Sequence, residues 1–196
     1  MLEVAAAQTP LRPVIVRIGQ VSGGANGCWN HLDWLPAIVQ SATLSRSLPS
    51  LAKVVSLLPL QACAQALVQI LGTKTTGPTL HLHLLNPTPY QWDDVFGYIA
   101  KKLDVPLVPY HEWFTKLKEV PATTKDAQEY SALRLLDFFG SLAQGSGLEA
   151  GVLPLYNTEV TRSVCPVLNE EGLRHLRTEE IQGWLDYWNS IGHLKI

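Results

Sequence analysis

The residue types best suited to chemistry lie between Val14 and Trp34, in the stretch VIVRIGQVSGGANGCWNHLDW. The apolar, largely β-branched run Val14–Ile18 predicts a buried strand. Glycines punctuate the residues that follow, and Trp29 and Trp34 come next. Open α/β sheets build ligand sites where a strand ends in a glycine-rich loop before a helix. The stretch therefore predicts a ligand site.

The glycine spacing bears on which ligand such a site holds. A dinucleotide fingerprint reads Gly-x-Gly-x-x-Gly, with an acidic residue about 20 positions further on to hold a ribose. Here the glycines stand at positions 19, 23, 24 and 27, and residues 37–44 (AIVQSATL) contain no acid. The pattern favours a turn that needs glycine dihedrals, although a turn alone leaves the paired tryptophans unexplained.

Few strands and many helices are predicted to position this stretch. Leucines alternate with His81 and His83, which predicts a second strand over residues 79–85, and a short strand-like segment follows at 106–109. Asp33 is the predicted N-cap of a helix that Ser47-Leu-Pro49 closes. Further helices are predicted at residues 2–8, 59–71, 88–103, 111–119, 126–143, 169–176 and 178–191. In the 59–71 helix, the apolar residues at helical spacing are Leu60, Ala64, Leu67, Val68 and Leu71.

Several stretches together resemble one family, the thioester reductase domains, in their carboxyl-terminal half. The matching stretches are Arg17-Ile-Gly-Gln-Val-Ser-Gly23, Gly27-x-Trp29-Asn30, Asp33-Trp34, Ser56-Leu-Leu-Pro59, and His83-Leu-Leu-Asn86-Pro87 with Trp92. The resemblance is dense from about Leu2 to Trp113 and is closest to the fungal members. These domains terminate many nonribosomal peptide synthetases, polyketide synthase hybrids and adenylate-forming reductases. They use NADPH to release a carrier-bound acyl thioester as an aldehyde or alcohol.

The resemblance implies an α/β fold, the carboxyl-terminal part of a Rossmann-type extended short-chain dehydrogenase with few strands and a mostly helical substrate-binding lobe. We expect residues 1–196 to form a single partial domain. Within it, residues 1–90 are the expected remnant of the Rossmann sheet with the substrate loop, and residues 91–196 the helical lobe. The first βαβαβ half, with the glycine fingerprint and most of the sheet, is expected to be missing.

The family's catalytic pair is also expected to be absent. Its tyrosine, in a Tyr-x-x-x-Lys motif, donates a proton, and its lysine lowers the pKa of that tyrosine and holds the nicotinamide ribose. The pair belongs on the helix before the Arg-Ile-Gly-Gln strand, of which Leu2–Gln8 is only the tail. Tyr98 and Lys102 have the same spacing on the wrong helix. His81 and His83 share a strand face without a nearby third ligand, so we expect no metal site.

By position, the resemblance assigns two sets of binding residues. The cofactor-facing set is Ile18, Gly19, Gln20 and Val21. The set that shapes a channel for the acyl-pantetheine arm is Gln20, Ser22, Trp29 and Trp34. Core packing is the competing explanation for the two tryptophans.

Bulk properties exclude several classes of protein. The 15 basic and 17 acidic residues give a net charge of −2, which offers no electrostatic footprint for nucleic acid. Apolar runs such as Val54–Leu60 are far shorter than the roughly 20 residues of a membrane span. Cys28, Cys63 and Cys165 are scattered and odd in number, which fits reduced thiols. We therefore expect a cytoplasmic protein without a nucleic-acid or membrane partner.

The sequence thus predicts a partial, NADPH-dependent thioester reductase-like protein of secondary metabolism. Alone it is expected to be inactive and to bind no NADPH, and its expected partner is a phosphopantetheinyl carrier protein or domain that bears an acyl thioester. The alternative is a non-catalytic module that binds a carrier protein or an acyl-pantetheine arm. A third hypothesis is that the 196 residues are one piece of a longer reductase.

Overall fold

A computed structural model describes residues 1–74, 77, 79–121, 129–142, 147–150, 155–169, 173 and 175–194. The chain forms two compact units that interleave along the sequence. The first unit comprises residues 1–22, 56–89 and 156–175, and the second comprises residues 23–55, 90–155 and 176–196.

The helices and strands are short and alternate along the chain. In order they are α1 (Leu2–Gln8), β1 (Val14–Ile18), β2 (Val21–Ser22), α2 (Trp34–Ser45), β3 (Leu48–Ser50), β4 (Val54–Val55), β5 (Leu58–Pro59), α3 (Leu60–Leu71), β6 (Leu80–Leu84), β7 (Tyr90–Gln91), α4 (Trp92–Lys102), β8 (Leu107–Pro109), α5 (Tyr110–Lys118), α6 (Ser131–Arg134), α7 (Leu136–Leu142), α8 (Glu159–Val164) and α9 (Thr178–Ser190). A 3-10 turn spans Pro166–Leu168. In the described part of the chain, no helix is both long enough and apolar enough to cross a membrane.

The first unit is built on a βαβ arrangement. Strands β1 and β6 pair in parallel, with Val14 opposite Leu80 and Ile18 opposite Leu84, which confirms the two predicted strands. Since parallel strands need a crossover connection, the chain passes through α3 between them. Paired residues of parallel strands point to the same face. The core on the α3 side comprises Leu58, Ala62, Cys63, Ala66, Ile70, Leu82, Leu84, Cys165, Leu168 and Leu173.

Helix α3 does not bury the apolar residues that recur at helical spacing in its sequence. Its buried residues are Ala62, Cys63, Ala66 and Ile70, most of which have small side chains. In contrast, Val68 is 69% exposed and Leu71 is 86% exposed. Both sides of this helix are apolar, so periodicity alone does not select the buried side. Small side chains let the helix lie close to its neighbours, and close packing decides the orientation.

The second unit is organised around α2, most of whose residues are buried. Trp113 on α5 donates from Nε1 to Ser41 Oγ at 2.9 Å, and Trp92 donates to the Pro49 carbonyl at 2.8 Å. Strand β3 pairs in parallel with β8, and β4 pairs antiparallel with β7. The predicted helix after Asp33 is confirmed. Helix α4 begins at Trp92 rather than at 88, because Tyr90 and Gln91 are paired with β4.

The predicted carboxyl-terminal helices are confirmed only in part. Helix α9 matches the prediction for 178–191. Within 126–143, positions 126–128 and 143 lie outside the described residues, and Leu135 separates α6 from α7. Of 169–176, positions 170–172 and 174 lie outside the described residues, and the described positions are not helical. Helix α8 was not predicted.

Candidate functional site

The residues assigned to the cofactor lie at the carboxyl end of β1, in the first unit. Gly19 continues the strand ladder, since its backbone N–H donates to the Leu84 carbonyl at 3.0 Å. A Cβ on Gly19 would come within 2.9 Å of Leu85 Cδ2, so the backbone lies close to that side chain. This edge is where open α/β sheets place their ligands.

Hydrogen bonds fix the next two residues. The Gln20 side chain donates from Nε2 to the Val21 carbonyl at 3.0 Å, and the Gln20 carbonyl accepts from the Leu58 N–H at 2.8 Å. Val21 then pairs in parallel with Leu58. The loop after β1 is therefore held against β5 by its own backbone, with Ile18 exposed beside it.

Asn86 supports the same edge after β6, a role that residue types alone do not assign. This buried residue donates from Nδ2 to the Leu57 carbonyl at 3.0 Å, and its Oδ1 accepts from the Thr88 N–H at 3.0 Å. An amide that bridges two loops positions both of them. The sequence signal was its place in the matching stretch His83-Leu-Leu-Asn86-Pro87.

The two histidines of β6 have partners other than a metal. His81 Nε2 lies 2.9 Å from Glu3 Oε1, and Arg17 Nη1 donates to His83 Nε2 at 3.2 Å. Tyr156 packs edge-on against the His83 ring, with the centroids 4.5 Å apart. Among the described residues, no group of three His, Cys, Asp or Glu side chains is placed to hold a metal ion.

Two cysteines of the first unit are poor nucleophiles. Burial raises the pKa of the Cys63 thiol and that of the Cys165 thiol above their ordinary value. Cys165 Sγ also points at the Ala66 carbonyl, 3.6 Å away. Because a thiolate is the reactive form, both residues are inert packing groups.

In the second unit, Trp29 is part of the packed interior. It is 4% exposed and meets Trp184 edge-on, with ring centroids 4.9 Å apart. Its Nε1 donates to Asp33 Oδ2 at 3.0 Å, and Trp188 donates to its carbonyl at 3.2 Å. Packing therefore accounts for Trp29, and a role toward substrate stays a prediction.

Trp34 is less enclosed than Trp29. It is half-buried as the first residue of α2, and it stacks on Trp92 with centroids 6.0 Å apart and planes 13° apart. Phe138 lies at 6.2 Å. The assignment of Trp34 to substrate also stays a prediction.

Two loop glycines, Gly23 and Gly27, allow helix α9 to pack closely against the loop. Gly27 has φ +75°, and a Cβ there would collide with the Gly183 carbonyl. A Cβ on Gly23 would lie 2.6 Å from Trp184 Cδ1. Close packing and a left-handed turn thus explain these glycines without a phosphate.

Comparisons with known proteins show which proteins this chain is similar to. No protein-family model matches the chain. Over 98% of its length the chain is 34% identical to adenylate-forming reductase Nps10 of Heterobasidion annosum, of which it covers 18%. Over 89% of its length it is 33% identical to non-reducing polyketide synthase sor2 of Hypocrea jecorina, of which it covers 7%. The chain therefore spans less than a fifth of these relatives.

Solved structures agree on the fold. The terminal R domain from the myxalamid PKS-NRPS pathway superimposes with TM-score 0.68 at 20% identity, over 92% of this chain and 44% of that one. A thiolation-reductase di-domain from an archaeal nonribosomal peptide synthetase gives 0.66 at 16% identity, over 97% and 38%. These relatives and structures are consistent with a thioester reductase-like domain, of which the chain matches the carboxyl-terminal part. The likeness to the solved structures shows an extended short-chain dehydrogenase, Rossmann-like fold.

The family's catalytic motif has no counterpart in this thioester reductase-like chain at the expected place. Helix α1, which precedes β1, reads LEVAAAQ and contains neither tyrosine nor lysine. Tyr98 and Lys102 lie on α4 in the second unit, where Lys102 Nζ is 5.4 Å from the centre of the Tyr98 ring. This contact is a cation–π pair along one helix face, which is common on helices.

Proposed function

We propose that this chain is the carboxyl-terminal part of an NADPH-dependent thioester reductase of secondary metabolism. Homology over nearly its whole length to an adenylate-forming reductase and a polyketide synthase carries the proposal. Because it covers a small fraction of those relatives, the reaction belongs to a larger assembly. The proposed substrate is an acyl thioester on a phosphopantetheinyl carrier protein or domain.

The residues that follow β1 are the proposed binding site for the nicotinamide of NADPH. Ile18 presents an exposed apolar side chain suited to one face of a nicotinamide, and Gly19 keeps the backbone beside it free of a side chain. Gln20 and Val21 are held in place by hydrogen bonds to neighbouring backbone groups. A hydride for the thioester carbonyl is the chemistry that NADPH supplies when bound. These residues would orient the ring rather than transfer a proton.

The residues assigned to the acyl-pantetheine arm differ in how exposed they are. Ser22 and Trp29 are buried, so they support neighbouring groups. Gln20 of the first unit is half-buried and is the proposed contact for the pantetheine arm. Its amide suits an arm that contains amide groups. The expected role of Trp34 toward substrate stays a prediction.

An assay of the isolated chain tests this proposal. Without a tyrosine proton donor before β1, we expect no NADPH oxidation when the chain is mixed with an acyl-pantetheine thioester. Turnover that survives a Tyr98→Phe control would overturn the proposed inactivity of the isolated chain. Binding of a loaded carrier without turnover would instead favour the non-catalytic binding module.

A further inference from the structure

The second unit contains a pocket of about 390 Å³ beside helix α2. Small-molecule sites commonly have volumes of about 300–1000 Å³. Every described residue that lines the pocket belongs to this unit. Four of them bring aromatic or imidazole rings: His31, Tyr130, Tyr187 and His193. The pocket therefore has the size of a small-molecule site and is lined by rings.

One buried amide holds the wall of this pocket together. Gln40 is 4% exposed, and its Nε2 donates to the carbonyls of Glu129 and His193 at 3.2 and 3.3 Å. Its Oε1 accepts from the Ser131 N–H at 3.0 Å. These bonds join three segments that are distant in sequence. The wall is thus fixed before any ligand binds, which lowers the entropic cost of binding.

The hydrogen bond between His193 and the backbone determines which of its ring nitrogens can accept. Its Nε2 lies 3.2 Å from the Pro36 carbonyl, and because a carbonyl only accepts, Nε2 carries the proton. Burial lowers the pKa of His193 below its ordinary value, so the ring is neutral at neutral pH. In a neutral ring with a protonated Nε2, Nδ1 is an acceptor. His193 therefore suits a ligand that brings a hydrogen-bond donor.

The charges around the pocket favour a cation. Among the described residues that line it, none is a lysine or an arginine, whereas Glu129 contributes a carboxylate. The electron-rich faces of tyrosine rings attract cations, and Tyr130 and Tyr187 both line the pocket. Burying an anion without a cationic partner is costly, so an acidic ligand is disfavoured. Negative charge, aromatic rings and a hydrogen-bond acceptor in one pocket are the features that recognise an ammonium group.

We propose that this pocket binds a small organic amine in its protonated form, with the ammonium group donating to Nδ1 of His193 near Glu129 and the hydrocarbon part against the rings. Thr43 Oγ1 donates to the Gln40 carbonyl at 2.8 Å, which leaves its lone pairs for a second N–H of the ligand. Ile191, which is 44% exposed, adds an apolar surface to the same pocket. None of these residues is among those assigned to NADPH or the pantetheine arm, so the site goes beyond the proposed function.

A matched set of probes tests the chemistry. Phenethylamine is titrated into the 196-residue chain at about pH 8, between the ordinary pKa of histidine, about 6.5, and that of an alkylamine, about 10. We expect saturable binding with a Kd of about 1 mM or tighter. The alcohol 2-phenylethanol lacks the charge, and N,N,N-trimethylphenethylammonium lacks the N–H donors. Each of these two probes should bind at least about tenfold more weakly than phenethylamine.

Histidine ring signals and matched variants locate the site. In NMR spectra, phenethylamine should shift the ring signals of His31 and His193 and leave those of His111, which is exposed on α5, in place. The variants His31→Ala and Glu129→Gln should each raise the Kd at least about threefold. Their controls, His111→Ala and Glu119→Gln, change exposed residues of the same unit and should leave the Kd unchanged.

Two results would overturn the inference. One is that about 10 mM phenethylamine leaves the His31 and His193 signals of the unaltered protein in place. The other is that 2-phenylethanol or the trimethylated amine binds as tightly as phenethylamine, because charge or N–H donation would then not select the ligand. Since the ring signals are read on the unaltered protein, a variant that fails to fold does not weaken the test. Binding is measured without turnover, so neither result bears on the proposed reductase function.

Discussion

At the scale of single residues, local geometry distinguished alternatives that sequence spacing left open. In sequence, Gly23 and Gly27 lie in a glycine-rich loop of the kind that can bind phosphate. In the structure, each of them faces a residue of α9. The partner Gly183 lies more than 150 positions away (183 − 27 = 156), so no local pattern could reveal the contact. The core-packing explanation for Trp29, in contrast, was available from residue type alone.

Substituting Gly27 tests that contact. Gly27→Ala should destabilise the protein by more than about 1 kcal/mol, because an L residue is strained at φ +75° and its methyl group meets the Gly183 carbonyl. The measurement is the urea midpoint. Gly97→Ala is the control, since nothing lies near its Cβ within α4, and it should stabilise by about 0.5–1 kcal/mol. Equal effects of the two changes would contradict the packing role.

His193 gives the protein a pH-dependent stability. Burial lowers the pKa of His193, the hydrogen bond to the Pro36 carbonyl raises it, and the His31 ring 5.2 Å away lowers it. The net direction is below the ordinary value of 6.5. At pH values between the pKa of His193 in the folded protein and 6.5, the unfolded chain binds more protons than the folded protein. The stability that neutral, buried His193 contributes is therefore fully present above about pH 6.5 and declines as the pH falls.

The corresponding test compares urea midpoints of the wild-type protein and His193→Gln. The wild type should lose more stability than the variant when the pH falls from about 7 to about 5. The carboxylates common to both proteins cancel in this difference. If the stability of His193→Gln depends more steeply on pH than that of the wild type, the lowered pKa of His193 is contradicted.

At the scale of elements, long periodic segments were predictable and short pairings were not. Strands β1 and β6 follow from β-branched and alternating residues. The two- and three-residue strands β2, β3, β4 and β7 depend on distant partners, so local sequence carries little signal for them. Ser47-Leu-Pro49 predicts a helix stop, and α2 does end at Ser45, but Leu48 and Pro49 also begin β3.

Helix α3 has apolar residues on both sides, and substitutions test which side is buried. Ala66 is fully buried, so Ala66→Leu should overpack the first unit and cost about 1–3 kcal/mol. Leu71 is 86% exposed, so Leu71→Ala should change stability by less than about 0.5 kcal/mol. Denaturation midpoints of the two variants show which side of α3 is buried. A large loss of stability for Leu71→Ala with a neutral Ala66→Leu would contradict the buried side seen in the structure.

At the scale of the whole molecule, composition and periodicity established a globular α/β chain and no more. The family came from the matching stretches, and homology over 98% of the chain supports it. The expected division into residues 1–90 and 91–196 stays a prediction. The two compact units of the structure each combine three separate segments, and such interleaving depends on long-range contacts that local sequence does not encode.

We propose that this chain is the carboxyl-terminal part of a thioester reductase and depends on an amino-terminal half for its chemistry. The most direct measurement replaces the aligned segment of Nps10 with this chain and follows NADPH oxidation with an acyl-pantetheine thioester. We expect the chimera to oxidise NADPH and the isolated chain to show none above background. A folded chimera without thioester-dependent oxidation, or turnover by the isolated chain, would contradict the claim.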